Sequence, residues 1–170
     1  MKNLILIRHS KSSWDVPMQD IDRPLSTRGV QDAHLVSEKL IASMPDKYLV
    51  WSSDSKRTSE TALIFSQNLG FSFQNIKFKS ELYTFERDKL LQQIKTCDEP
   101  FDSLVVFCHN EAVTELVNQL GHITFDNVPT TGVIQLQFKQ NEWSTIENGT
   151  TTNYLFPSLI KNESNKSIHR

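Results

Sequence analysis

The run Leu4-Ile5-Leu6-Ile7, followed at once by Arg8-His9-Ser10-Lys11, limits what this chain can fold into more than any other stretch. Four consecutive apolar residues, two of them β-branched, read as a short strand covered on both faces. Such a strand belongs inside a sheet sandwiched between helices. In open sheets of that kind ligands bind in the crevice beyond the carboxyl ends of the strands, which is where Arg8 and His9 stand. A second run, Leu104-Val105-Val106-Phe107-Cys108, ends in the same way, in His109-Asn110.

The segments between these runs alternate between strand and helix patterns. Ser26 is the expected N-cap of a helix whose inward face is Val30, Ala33, Ser37, Leu40 and Met44, ending at Pro45-Asp46. Tyr48 to Trp51 predicts a second strand. The helix after it carries Thr58, Ala62, Phe65 and Leu69 inward and stops at Gly70. Phe71 to Phe78 contains an extended segment, and Leu90, Leu91, Ile94 and Cys97 mark a short amphipathic helix closed by Pro100. Beyond His109 a helix turns Val113, Leu116, Val117 and Leu120 inward and ends at Gly121. Val133–Phe138 and Trp143–Glu147 then predict a hairpin around Gln140-Asn141, with an edge strand near 153–156. The expectation is an α/β fold: a three-layer α/β/α sandwich with a mainly parallel central sheet and an antiparallel C-terminal addition. It occupies residues 1–157 as one domain, followed by a loose polar tail over 158–170.

Composition narrows the function classes. With 170 residues the chain can bury one sizeable core, and its net charge of −2 gives no general attraction to nucleic acid or an anionic membrane. The apolar run before Arg8 is too short for a signal peptide or a membrane span. Cys97 and Cys108 do not form a disulfide framework and read as reduced thiols of a cytoplasmic protein, expected to be monomeric. Two histidines without H-x-H or H-x-x-x-H spacing give no reason to expect a metal, and no cofactor is expected.

What remains is a recurrence. Arg8-His9 follows the first strand, Arg57 opens the helix after the second, Glu81 follows the third, and His109 follows the fourth. Taken singly, an Arg at a helix start is more often a solvated surface residue, and a His after a strand more often a structural one. Together, parallel strands would bring them to one edge, where two guanidinium forks, two imidazoles and helix N-termini suit a phosphoryl group.

The ordered motifs resemble the histidine phosphatase superfamily, whose larger members include the phosphoglycerate mutases. The residues that carry the likeness are Arg8-His9-Ser10-Lys11-Ser12-Ser13-Trp14, Asp22-Arg23-Pro24-Leu25-Ser26 with Gly29, Ser52 or Ser53 with Arg57-Thr58 and Thr61-Ala62, Val105-Val106-Phe107-Cys108-His109-Asn110, and Pro129-Thr130-Thr131-Gly132. More narrowly they are similar to its short SixA-type phosphohistidine phosphatases. Ser10 and Cys108 stand where the family usually has Gly or Ala.

The resemblance implies a phosphoglycerate mutase-like fold and a phosphatase. In it His9 is the nucleophile, Arg8, Arg57 and His109 hold the phosphoryl oxygens, and Glu81 is either a general acid or a polar residue at a strand end. Lys11 would add positive field or stay solvated, and Trp14 would be a rim residue contacting substrate or a surface ring. With little more than one short helix between Glu81 and His109 there is no room for a long lid. An open pocket of that kind admits a phosphorylated side chain of another protein, or a small phosphorylated substrate. The alternatives are a hydrolase of small phosphate esters or phosphoramidates and a non-catalytic phosphoryl-binding module.

Overall fold

The computed structural model describes residues 1–97 and 100–168. In chain order it runs β1 (Lys2–Arg8), α1 (Thr27–Leu40), β2 (Leu49–Ser53), α2 (Lys56–Leu69), β3 (Lys77–Lys79), α3 (Arg87–Lys95), β4 (Ser103–Cys108), α4 (Ala112–Leu120), β5 (Val133–Phe138), β6 (Thr150–Leu155) and α5 (Pro157–Ile168), with short 3-10 turns between them. One six-stranded sheet has the order β3-β2-β4-β1-β5-β6. The strands β3, β2, β4 and β1 are mutually parallel; β5 pairs antiparallel with β1, and β6 antiparallel with β5. The fold is α/β with the mostly parallel sheet and antiparallel C-terminal strands that the sequence predicts.

The strand period of two divides the core into two layers. Leu4 and Leu6 of β1, with Leu104 and Val106 of β4, face α3 and α4; Ile5 and Ile7, with Val105 and Phe107, face α1, α2 and α5. All four apolar residues of β1 are at most 1% exposed, and burying each is worth about 1.5–3 kcal/mol. Such a strand cannot be moved without dismantling both layers, so the residues at its end are held on a rigid base. Among the described residues no helix is long and apolar enough to cross a membrane.

Three expectations need correction. Val30 is exposed, and the buried face of α1 is Gly29, Ala33, Val36, Ser37 and Leu40. The cause lies at the helix start. The Ser26 hydroxyl caps the Gly29 N–H, the Ser26 N–H and hydroxyl both donate to the Lys11 carbonyl, and Gly29 sits directly on that carbonyl. This docking rotates Val30 outward. Trp143–Glu147 is not the second arm of the hairpin. Trp143 opens a 3-10 turn, is buried, and donates from Nε1 to the Phe101 carbonyl at 3.1 Å, so β5 pairs with β6 instead. Lastly, 158–168 is not a loose tail but most of α5. Its Ile160 is buried against the α1 layer, and Lys161 donates to Asp32 of α1 at 2.7 Å. Residues 169 and 170 of that expected tail lie outside the described residues.

Candidate active site

The site begins with strand register. Arg8 of β1 lies opposite Cys108 of β4, so the next residues, His9 and His109, leave the sheet side by side. Their ring centroids are 5.3 Å apart, close to the spacing of about 4.8 Å between neighbouring strands. A third parallel strand, β2, ends in Ser53. The helix that follows, capped by Ser55 on the Thr58 N–H at 3.3 Å, presents Arg57 in its first turn. Residues 9, 57 and 109 thus converge at the carboxyl edge of the parallel strands.

The His9 ring is fixed by a hydrogen bond of 2.7 Å between Nδ1 and the backbone carbonyl of Ser10. A carbonyl can only accept, so Nδ1 carries the proton and Nε2 keeps its lone pair. The carbonyl is itself held in place. The Ser10 N–H donates to Thr61 Oγ1 at 2.9 Å, Thr61 donates on to the Arg57 carbonyl at 2.7 Å, and the Ser10 hydroxyl meets Thr131 Oγ1 at 2.5 Å. The hydroxyl that departs from the family pattern is therefore engaged by Thr131. Burial, with Arg57, Arg8 and Arg23 nearby, lowers the His9 pKa to about 4, against the pull of its backbone hydrogen bond.

His109 is fully buried. Its Nε2 is 2.8 Å from Ser53 Oγ and its Nδ1 is 3.4 Å from Arg57 Nη2. An arginine only donates, so Nδ1 accepts and Nε2 holds the proton. Burial first, then His9 and Arg57, pushes the His109 pKa down to about 2. The edges of Tyr83 and Phe85 close on this ring, with centroids 5.2 and 5.5 Å away.

Arg8 donates to the Val128 carbonyl at 2.8 Å, while its Nε is buried with no hydrogen-bond partner among the described residues. Burial lowers the Arg8 pKa. A desolvated guanidinium with a free donor is a standing demand for an anion. Cys108 beside it is inert, its thiol pushed up to about 12 by burial.

Arg57 is 4% exposed on its side chain and, besides its contact with His109, binds Asp20 on the 3-10 turn between β1 and α1. Nη2 donates to Asp20 Oδ2 at 2.9 Å and Nη1 to the Asp20 carbonyl at 2.7 Å. The Tyr83 hydroxyl also donates to Oδ2, and Arg23 Nη1 reaches Oδ1 at 3.3 Å. Partial burial would raise the Asp20 pKa, but these donors outweigh it and hold the carboxyl at about 2.

The other predicted site residues stand further out. Trp14 is 76% exposed, with the Arg23 guanidinium 3.1 Å over its ring, so any link to the pocket runs through Arg23. Lys11 is exposed, and its carbonyl accepts from the α1 cap. Glu81 is exposed on the turn Ser80–Leu82, and among the described residues nothing ties it to His9, His109 or Arg57. Sequence reasoning assigned no role to Asp20, Tyr83, Phe85 or Thr131. The one signal for Asp20 was charge balance, since several guanidinium groups converging in an empty pocket call for an internal carboxylate. No group of three or more His, Cys, Asp or Glu among the described residues is placed to hold a metal ion.

Comparisons with known proteins agree with this architecture. The family model of the histidine phosphatase superfamily (branch 1) matches residues 4–84. An uncharacterised chloroplastic protein of Arabidopsis thaliana is 31% identical over 151 residues, covering 84% of this chain and 69% of that protein. The structure of the protein histidine phosphatase SixA complexed with tungstate superposes with a TM-score of 0.76 at 20% identity, covering 93% of this chain and 99% of that one. A mycobacterial glucosyl-3-phosphoglycerate phosphatase, solved with VO3, gives 0.65 at 16% identity over 90% and 98% of the two chains. With its paired histidines on adjacent strands and its arginines around them, the chain belongs to branch 1 of the histidine phosphatase superfamily.

Proposed function

We propose that this protein is a phosphatase that removes a phosphoryl group, most naturally from phosphohistidine on a protein, through a covalent intermediate on His9. The observation that carries the reading is the His9 tautomer. With Nδ1 bound to the Ser10 carbonyl, Nε2 is a lone-pair nucleophile at neutral pH and needs no separate base. Arg8 and Arg57 supply the permanent positive charge that phosphoryl transfer demands around the equatorial oxygens. An incoming dianion offsets the guanidinium charges that help keep His109 neutral, allowing its Nδ1 to take up a proton and donate to the phosphoryl group. Water then cleaves the phosphohistidine on His9.

Substrate leaving-group chemistry supports phosphohistidine over an alkyl ester. An ester oxygen needs a proton as it departs, whereas a phosphorylated imidazole can arrive already protonated on its far nitrogen. Asp20 is ionised, and the proton that His109 takes up is directed at the phosphoryl oxygens, so no carboxylic acid stands ready to protonate an ester oxygen. The SixA likeness in fold points in the same direction.

The test is to treat the protein with radiolabelled phosphoramidate, quench it, and map the label. The expected result is an acid-labile, base-stable label on His9 that is absent from His9→Ala, with release of inorganic phosphate at steady state. Phosphate binding without label or turnover would instead make the protein a phosphoryl-recognition module.

A further inference from the structure

We infer that Asp20, with the exposed ring of Phe85, forms the leaving-group subsite and selects a planar cation, an imidazolium, over a neutral or anionic leaving group. This rests on the reading that the phosphoryl group sits among His9, His109 and Arg57. Asp20 lies against Arg57, and Tyr83 joins it to Phe85. The Tyr83 hydroxyl donates to Asp20 Oδ2, its ring meets Phe85 at 5.6 Å, and both rings meet His109. Phe85 is 50% exposed and the Asp20 side chain 44%. An exposed aromatic ring and a carboxylate are therefore joined through Tyr83, next to the buried ring of His109.

Acceptor capacity decides what Asp20 can still do. A carboxylate offers about four lone-pair positions. Oδ2 has both of its positions filled, by Arg57 Nη2 and the Tyr83 hydroxyl. Among the described residues Oδ1 has only the long contact of 3.3 Å from Arg23, so one acceptor position remains, and it lies on a half-exposed group. A protonated imidazole brings the one thing this position lacks, an N–H carrying positive charge, and a flat ring to lie against Phe85. A phenolate or alkoxide oxygen brings neither and meets a fixed negative charge.

The reaction balances without a proton donor. His9 Nε2 forms a bond to phosphorus as the P–N bond to the substrate ring breaks, and the electron pair stays on the departing nitrogen. The proton already on the far ring nitrogen makes the leaving group neutral imidazole. Because the cation exists before the bond breaks, Asp20 acts on substrate binding more than on the chemical step, and its loss is read mainly in KM.

The experiment compares two substrates on the full-length protein, a phosphohistidine peptide and p-nitrophenyl phosphate, in wild type, Asp20→Asn and Phe85→Leu. Expected is a fall in kcat/KM for phosphohistidine at least tenfold greater than for the aryl ester in Asp20→Asn, carried by KM, and a smaller fall of the same kind in Phe85→Leu. Equal losses on both substrates, or losses confined to kcat, would overturn the inference and leave Asp20 as a support for Arg57. Wild-type protein that hydrolyses neither substrate would sink the phosphatase reading itself, and this inference with it. Should Asp20→Asn fold poorly by circular dichroism, Phe85→Leu, an exposed position, carries the same comparison.

Discussion

Replacing His9 with Asn should make the protein less sensitive to acid, by an amount that follows from its pocket. His9 is 8% exposed, and its pKa is lowered from 6.5 to about 4 by burial and neighbouring guanidinium charge. The unfolded chain binds a proton here at a pH where the folded one does not. Stability contributed by the neutral ring is therefore complete above about pH 6.5 and is lost as the pH falls through 4. The full window is worth about 3 kcal/mol, and the step from pH 7 to pH 5 about 2 kcal/mol. The other titrating groups are present in both proteins; for His109 the first cause of the lowered pKa, burial, is common to both, while the part owed to His9 is lost with it and adds to the expected difference. Urea denaturation of wild type and His9→Asn at the two pH values measures the difference directly. With slopes of about 1–3 kcal/mol per molar urea, the wild-type midpoint should drop by roughly 1 M more than that of the variant. If the two proteins lose equal stability between pH 7 and pH 5, the His9 imidazole is not held neutral by its surroundings, and the argument for a ready nucleophile fails.

Other perturbations probe the framework around the pocket. Gly29→Ala places a Cβ 2.1 Å from the Lys11 carbonyl oxygen; overpacking of this kind costs about 1–3 kcal/mol or more and should lower Tm by several degrees while loosening the loop that carries Asp20. Ser53→Ala removes the acceptor of His109 Nε2 in a buried site, with an expected stability loss of about 1–3 kcal/mol and a fall in kcat, measured by thermal melts and steady-state kinetics. Lys161→Met takes the 2.7 Å ammonium from Asp32, whose side chain is 3% exposed. A stability loss of about 1–3 kcal/mol is expected, together with faster proteolysis near the C-terminus as α5 comes away from α1. Binding of inorganic phosphate should be accompanied by proton uptake, seen as a buffer-dependent heat in calorimetry, because His109 begins neutral.

The parts of this molecule that could be read from the sequence are those whose cause is local. The β1 and β4 runs are apolar on both faces, so their burial and the crevice beyond them follow without knowing the partners. Ser26 and Gly70 mark helix ends through their own capping chemistry. The parts that could not be read depend on distant contacts. The polar composition of α5 conceals one apolar anchor, Ile160, and one ion pair to a residue 129 positions away. Val30 fits the period of α1 but is turned outward by a backbone contact with residue 11. In the site, His9, Arg57 and His109 come at the ends of recognisable elements. Asp20 sits in a loop with no period, and only the convergence of Arg57, Arg23 and Tyr83 upon it shows what it does.

The pairing of Arg8 with Cys108 has a consequence for how the pocket comes into being. Residues 9 and 109 are separated by most of the chain, and their interval is the repeat of a hydrogen-bonded lattice. That interval is set by β1 and β4 themselves, and a slip by one position would send a ring to the wrong layer. A polypeptide interrupted before β4 would carry His9 and Arg57 but lack His109, whose ring stands beside that of His9. The paired rings exist only in the completed sheet, and on the proposed phosphatase reading oxyanion binding would report that completion.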